Sequence, residues 1–360
     1  MAQYWRHGCS PRILFVLLIV QWIANLFVSH SFVWLLRKLT PDQMIVLTGA
    51  TGGLGSQVLK YLLTLVPPSD ITVSLHNPAG LDPSVASTGI TVRKGDYAVP
   101  TSLDAAFAGA DKLLLVSYPS VAHELRVKHH VNAIEAAKRA GVKHVYYTSL
   151  AFGYGTKPES CAAVMQAHLD TEAYLRKSGL KYTIIREGLY NESYPLYFGF
   201  FDPAKDTDVY VPGDGPIAWA SRTDLGEGTA RLLALPPSDT RFDNTTLLLS
   251  GPASNLLTLA QLSSLISTIL GREITLHIIS RDEYVKKHLD ESGKIARLTE
   301  DYLGKWATTF EAMGRGETGI VDPTLQELLG RPLKTMEESL REALNASRDK
   351  HLDLYATAQY

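Results

Sequence analysis

The sequence predicts an α/β fold built on a doubly wound parallel sheet, and two observations lead to this prediction. From Met44 onward, short apolar runs that suit buried strands alternate with helical segments. The first of these runs leads through a glycine-rich loop directly into a helix. Hydrophobic residues make up 45% and charged residues 20% of the 360 residues, which is an ordinary balance for a globular protein.

The first part of the fold contains six predicted strands and three predicted helices. The strands are 44–50, 71–75, 90–96, 112–117, 144–150 and 181–188. The helices are 54–66, 120–140 and 161–178, and they end at Pro67-Pro68, Gly141 and Gly179. Short links between alternating strands and helices favour parallel strands with helices on both faces.

The pattern changes after Gly188. Residues 189–220 are rich in Tyr, Phe, Gly, Pro and Asp, and they predict loops and short elements. Asp224 is expected to cap a helix that runs to Leu235. The remaining predicted elements are strands at 245–251 and 274–280 and helices at 258–270, 295–313 and 335–345.

A hydrophobic helix is predicted before the fold, within residues 1–43. Residues 13–36 contain no Asp, Glu, Lys or Arg. As a helix of about 1.5 Å per residue, this stretch would be about 36 Å long and would cross a hydrocarbon core of about 30 Å. Three interpretations stay open: a membrane anchor, a cleaved signal peptide, or an upstream extension if translation starts at Met44. The last would give a cytoplasmic protein.

The glycine loop is the strongest chemical signal. Gly49, Gly52 and Gly55 lie between the first strand and the first helix. In this context the glycines permit a tight turn, a close approach of a pyrophosphate and close packing of the helix, whose N-terminal N–H groups bind the phosphate. The predicted dinucleotide-binding residues of the loop are Gly49, Thr51, Gly52, Gly53, Leu54 and Gly55. The alternative is a structural turn that binds nothing.

The end of the second strand bears on the choice of cofactor. It reads Ser74-Leu75-His76-Asn77-Pro78 and has no acidic residue to hold the ribose 2′-hydroxyl of NAD. The arginine that usually binds a 2′-phosphate is also missing, and His76 is a weak substitute because it is mostly neutral at pH 7. We expect NADP(H) rather than NAD(H), with His76, Asn77 and Asp96 near the adenosine.

Several runs together resemble the NmrA-like branch of the atypical short-chain dehydrogenase/reductases, especially the NAD(P)H:quinone oxidoreductase type. These runs are 44–55, 76–78, 95–96, 130–151, 168–194, 247–262 and 330–344. The resemblance covers about 44–345 and implies a Rossmann-type NAD(P)-binding domain over 44–188 and a smaller, interleaved α+β substrate domain over 189–345. Residues 346–360 would be a tail. Such reductases often belong to fungal secondary metabolism. The sequence departs from the family at His76 and at 1–43.

The sequence lacks the usual catalytic pair of short-chain dehydrogenases. None of the 17 tyrosines has a lysine four positions later, so alcohol–ketone interconversion by a Tyr-x-x-x-Lys pair is not expected. Two functions remain open. One is hydride transfer from NAD(P)H to a quinone or related aromatic carbonyl compound, which needs little acid assistance. The other, implied by the resemblance, is a non-catalytic regulator that senses NAD(P).

The candidate site residues follow the carboxyl ends of the strands, where open α/β sheets bind ligands. Tyr118, Thr148 and His168 are the predicted catalytic residues. Ser117 and Ser149 are assigned to the cofactor. The alternatives without a functional role are that the strand-end hydroxyls bond to backbone and that His168 is a packing histidine.

The expected ligand besides the cofactor is a small aromatic or quinone substrate. With 35 Lys plus Arg against 37 Asp plus Glu, a chain-wide basic surface for nucleic acid is absent. The pair His129-His130 has no carboxylate or third histidine at metal spacing, so no metal is expected. Association with a membrane through 13–36 is the one further partner that the sequence suggests, and the oligomeric state stays unknown.

Overall fold

A seven-stranded parallel sheet forms the centre of the protein. A computed structural model describes residues 43–120, 122–290 and 298–349. The strands are β1 (Ile45–Thr48), β2 (Ile71–Leu75), β3 (Thr91–Lys94), β4 (Lys112–Leu115), β5 (His144–Leu150), β6 (Lys181–Glu187) and β9 (Thr245–Leu249). Their order is β3-β2-β1-β4-β5-β6-β9, and every neighbouring pair is parallel. The predicted Rossmann-like α/β fold is confirmed.

Helices cover both faces of this sheet. The helices that pack on it are α1 (Gly53–Leu65), α3 (Pro100–Phe107), α4 (His123–Arg139), α5 (Ala163–Lys177), α7 (Arg222–Ala234) and α11 (Thr324–Leu329). Successive side chains of a strand point to opposite faces. Leu47 therefore joins the core under α1, α7 and α11, and Val46 joins the core under α3, α4 and α5.

The C-terminal part adds a third hydrophobic core beside the sheet. Its elements are α6 (Tyr194–Tyr197), β7 (Asp208–Val211), β8 (Ile217–Ala218), β10 (Leu256–Leu257), α8 (Leu259–Leu270), β11 (Thr275–Ile278), α9 (Arg281–His288), α10 (Glu300–Gly314) and α12 (Met336–Asp349). β8 pairs antiparallel with β10, and β7 pairs parallel with β11. Trp219, Phe310 and Met336 lie in this core. Segments of this part also return to the sheet, since β9 lies at its edge.

One predicted cap was wrong. The helix α7 begins at Arg222, and Ser221 is its N-cap, because the Ser221 hydroxyl accepts a hydrogen bond from the Asp224 N–H. Asp224 instead lies in the first turn, where its carboxylate accepts from Lys334 N–H and pairs with Arg331. A short, largely exposed helix α2 (Pro83–Ala86) also lies between β2 and β3.

The predicted hydrophobic N-terminal helix lies outside the described residues, as do residues 350–360 of the predicted tail. Residues 346–349, also predicted to belong to the tail, instead continue helix α12. Within 43–120, 122–290 and 298–349, no helix combines the length and the apolar character that crossing a membrane requires. The structure therefore leaves the interpretations of residues 13–36 open.

Candidate functional site

The glycine loop joins β1 to α1 at the carboxyl edge of the sheet. Gly49 has φ +63°, a left-handed conformation that favours glycine, and Gly52 donates its N–H to the Gly49 carbonyl at 3.0 Å. Gly52 is the N-cap of α1 and has no side chain to cap the helix. The first N–H groups of a helix lack intrahelical partners, so those of Gly53, Leu54 and Gly55 are available to an anion.

The glycines of this loop differ in what they accommodate. A Cβ on Gly55 would lie 2.1 Å from the Gly49 carbonyl oxygen, so Gly55 is required by packing. A Cβ on Gly52 would meet a single atom, the same oxygen at 3.3 Å, and Gly52 has an ordinary extended φ of −83°. The fold therefore requires glycine at Gly49 and Gly55 more strongly than at Gly52. An approaching pyrophosphate gives Gly52 a further reason, and the loop fits a dinucleotide.

The remaining predicted loop residues lie as a phosphate site requires. Thr51 is exposed at the tip of the loop, and the Leu54 side chain is buried, so Leu54 can offer a ligand only its backbone N–H. Arg222, which sequence reasoning missed, crosses the start of α1: its Nη1 lies 2.4 Å from where a Cβ of Gly53 would be. Arg222 also approaches Glu192 at 3.5 Å, so this edge holds a cation beside the helix N-terminus.

The ends of β2 and β3 bring two predicted adenosine-site residues into contact. His76 Nδ1 lies 3.0 Å from Asp96 Oδ2, and the His76 side chain is 73% exposed. Asp96 also accepts from the Ala98 N–H, which fixes the carboxylate. The Asn77 side chain accepts from the Ala79 N–H and caps a short turn, leaving its NH₂ group for a ligand. A carboxylate is therefore present at this position after all, supplied by the third strand.

Ser117 follows β4, which with β1 borders the point where the strand order reverses, and it meets Thr148 of the neighbouring strand β5. The Ser117 N–H donates to Thr148 Oγ1 at 3.0 Å. The preceding residue, Val116, lies against the glycine loop, 3.0 Å from where a Cβ of Gly49 would be. Ligands of open α/β sheets bind in the crevice at the reversal point. Ser117 is thus placed one residue from the contact with the glycine loop, with Thr148 on its far side.

Tyr118 continues the same segment toward the ring of His129, which it meets edge-on at 4.4 Å between centroids. Its backbone N–H donates to His130 Nε2 at 2.7 Å. Tyr97 fixes this segment from the other side, because its hydroxyl donates to the Val116 carbonyl at 2.8 Å. Burial raises the Tyr97 pKa, so this hydroxyl stays protonated.

His168 lies in a buried polar network between α4 and α5. Its Nε2 lies 2.8 Å from Arg126 Nη2, and its Nδ1 lies 3.0 Å from the Tyr147 hydroxyl. Burial, with the nearby Arg126 charge, holds the His168 pKa well below its ordinary value. The ring is therefore neutral and both nitrogens have partners, which favours positioning over proton donation. Sequence reasoning missed Arg126 on α4 and Tyr147 on β5, since only the packing of the helices on the sheet brings both to His168.

Ser149 faces another buried network. Its hydroxyl donates a hydrogen bond to Glu172 at 2.7 Å. Ser149 can therefore accept a hydrogen bond from a cofactor but cannot donate one. Glu172 pairs with the fully buried Arg186 at 3.0 Å. Arg186 also donates to three backbone carbonyls of the segment after β5, those of Phe152, Gly155 and Lys157. This network fixes the loop that borders the crevice.

The comparisons with known proteins agree with this geometry. The family model described as NAD(P)H-binding matches residues 49–205. An NmrA-like family domain-containing oxidoreductase of Aspergillus flavus is 37% identical over 84% of this chain and 96% of the relative. The chain belongs to the NmrA-like family. It is an NAD(P)H-dependent oxidoreductase of the atypical short-chain type, without a Tyr-x-x-x-Lys pair.

Relatives of this NmrA-like oxidoreductase include proteins with named acceptors. Quinone oxidoreductase 2 of Escherichia coli is 33% identical over 84% of this chain and all of the relative. The crystal structure of the Escherichia coli NADPH-dependent quinone oxidoreductase complexed with NADPH superposes with a TM-score of 0.71, at 31% identity over 84% of this chain and 100% of that one. The triphenylmethane reductase of a Citrobacter species gives 0.70, at 30% identity over 84% and 99%.

Proposed function

We propose that this enzyme reduces a quinone or a related flat aromatic carbonyl compound with NADPH. The cofactor, when bound, supplies a hydride. The residues of the chain hold the cofactor on the glycine loop, place the acceptor beside Ser117 and Thr148, and support the oxygen that becomes negatively charged. Membership in secondary metabolism, suggested by the sequence resemblance, stays a prediction.

The observation that carries this proposal is the state of Tyr147, the tyrosine of β5 that contacts His168. Burial raises its pKa, and the residue four positions on is Ala151 rather than lysine. Tyr147 is therefore a poor proton donor. An acceptor whose reduced form is a stabilised phenolate needs no strong acid, whereas a simple ketone does. Relatives that are named after quinones and a dye support the same acceptor class.

The preference for NADPH is supported by the neighbour that was crystallised with NADPH. The side chain with a free donor at the end of β2 is Asn77, through its NH₂ group. His76 pairs with the Asp96 carboxylate at 3.0 Å, and this negative charge moderates the preference for a 2′-phosphate. We therefore propose NADPH as the better cofactor and NADH as a usable one.

A comparison of matched acceptors tests this function. NADPH consumption is measured with 1,4-benzoquinone, 2-methyl-1,4-naphthoquinone and, as a matched control, cyclohexanone. We expect turnover with the quinones and none with the saturated ketone. Equal rates with both classes would contradict the proposed acceptor, and tight NADPH binding with no turnover would favour the sensing function.

A further inference from the structure

Arg126 is a buried cation without an acidic partner. It lies on α4, is 8% exposed, and forms no ion pair within the described residues. Its Nη2 donates to Ser117 Oγ and to His168 Nε2, both at 2.8 Å, and its Nη1 approaches the Val164 carbonyl at 3.5 Å. Burying a charge without an oppositely charged partner raises the free energy of the folded state. A guanidinium kept in this way beside a ligand crevice is suited to an anion that arrives with the ligand.

The two histidines of the network, His130 and His168, neither neutralise the Arg126 charge nor donate a proton to a ligand. His130 Nε2 accepts from the Tyr118 N–H at 2.7 Å, so its proton is on Nδ1 and points to Thr171 Oγ1 at 2.8 Å. His168 Nε2 accepts from Arg126, so its Nδ1–H donates to Tyr147. Burial and the Arg126 charge lower the His130 pKa to about 3. Both rings are therefore neutral, and both lone pairs are in use.

Ser117 is the member of the network that opens to the crevice. Its oxygen accepts a hydrogen bond from Arg126 Nη2 at 2.8 Å. The other neighbour, His130 Nε2, is 3.3 Å away and already accepts the shorter bond from Tyr118. A hydroxyl has two lone pairs and one proton. Ser117 is half-buried and Arg126 occupies one of its lone pairs, so its proton is available to a ligand in the crevice.

We propose that Ser117 donates a hydrogen bond to the acceptor oxygen that becomes negatively charged, and that Arg126 is the positioning residue that polarises this hydroxyl. The inference rests on the proposed function and assigns the hydrogen-bond donor to the charged oxygen that the missing Tyr-x-x-x-Lys pair leaves open. A hydride, one proton with two electrons, leaves the nicotinamide and bonds to the acceptor. One acceptor oxygen then carries the negative charge, Ser117 holds it, and a proton from solvent completes the hydroquinone.

An optical titration of a bound phenol tests this assignment without turnover. 4-Nitrophenol, whose anion is yellow, is titrated with pH in the presence of the full-length protein and NADP⁺. We expect the wild type to lower the pKa of the bound phenol by about one pH unit, as a nearby donor and cation do. Ser117→Ala and Arg126→Met should reverse most of this shift, Arg126→Lys should retain part of it, and Ser120→Ala, in the same loop, should retain all of it.

Kinetics supply the second readout. Ser117→Ala should lower kcat for quinones on the order of 100-fold, as removal of an oxyanion donor does, with the KM for NADPH unchanged. Arg126→Met should do the same, while melting curves and NADPH binding report whether each variant is folded. The assignment is overturned if wild type does not bind 4-nitrophenol, or if Ser117→Ala leaves both the phenol pKa and kcat unchanged. A wild type that shifts the phenol pKa but reduces no quinone contradicts only the proposed function.

Discussion

At the scale of single residues, a substitution of Gly52 distinguishes an effect on NADPH binding from an effect on stability. Its backbone angles suit any residue, and only one atom would crowd a Cβ. Gly52→Val should therefore weaken NADPH binding by about tenfold or more while the melting temperature stays within a few degrees, because lost charge-assisted hydrogen bonds cost about 1.5–3 kcal/mol. NADPH fluorescence titration and a thermal melt measure the two effects.

The matched control for that variant is Gly55→Ala. A Cβ there would lie 2.1 Å from the Gly49 carbonyl oxygen, so we expect overpacking that costs about 1–3 kcal/mol of stability. If Gly52→Val bound NADPH as well as wild type does, the phosphate would lie elsewhere and the assignment of the loop would be wrong.

His76 offers a second prediction at this scale. His76→Arg should tighten NADPH binding by about tenfold and leave NADH binding nearly unchanged, because arginine is always charged and matches a 2′-phosphate, whereas histidine is mostly neutral at pH 7. The measurement is the pair of dissociation constants by fluorescence titration. An equal change for both cofactors, or no change, would mean that the 2′-phosphate does not approach His76.

Sequence reasoning found the parts of the site that adjoin strand ends and missed those whose roles depend on tertiary packing. The glycine loop, Ser117 and Thr148 follow directly from strand-to-loop transitions. Arg126 on α4 and Tyr147 on β5 both contact His168, but their sequence neighbourhoods carry no motif. Their contacts depend on how α4 and α5 pack together and against the sheet, and a single sequence does not encode that packing in any local pattern.

The carboxyl group of Glu187, at the end of β6 under α7, couples stability to pH at the scale of elements. One of its oxygens accepts from Thr229, and the other has no partner within the described part of the chain. Burial raises its pKa from 4.5 to about 8. Between these values the folded state holds a proton that the unfolded state releases, so this group makes stability fall as pH rises, by at most about 1.4 kcal/mol per pH unit.

Glu187→Gln should remove that dependence. We expect the variant to gain stability relative to wild type as pH rises from 5 to 8, measured as the difference in free energy of unfolding by urea at each pH. Glu327→Gln, an exposed position on α11, is the control and should show no such trend. A difference that stays constant with pH would show that Glu187 is ionised in the fold.

The main elements were predictable because each strand is a continuous apolar run. β2 and β5 match their predicted bounds, 71–75 and 144–150. The helices α3, α9 and α11 were not predicted, since they are short and α9 reads as a run of charged residues. Tertiary contacts determine whether such short helices form, and Tyr284 holds α9 in place by packing in the third core. Propensity alone is a weak guide at this length.

At the scale of the whole molecule, the sequence from Met44 onward forms one compact unit that holds the complete crevice. The uncharged stretch 13–36 precedes it. From its length and composition we expect the full chain to sediment with membranes and a chain starting at Met44 to remain in the supernatant, in a carbonate-washed fractionation followed by immunoblot. Equal partitioning of the two chains would exclude an anchor in this stretch.

The central claim is that this crevice transfers a hydride to a quinone. The most direct measurement is an anaerobic single turnover in which the protein–NADPH complex is mixed with one equivalent of 2-methyl-1,4-naphthoquinone in a stopped-flow instrument. We predict loss of the NADPH absorbance and appearance of one equivalent of hydroquinone at the same rate, with a smaller amplitude for Gly52→Val at a subsaturating NADPH concentration. NADPH that stays bound and unoxidised, or is oxidised without forming hydroquinone, would contradict the claim.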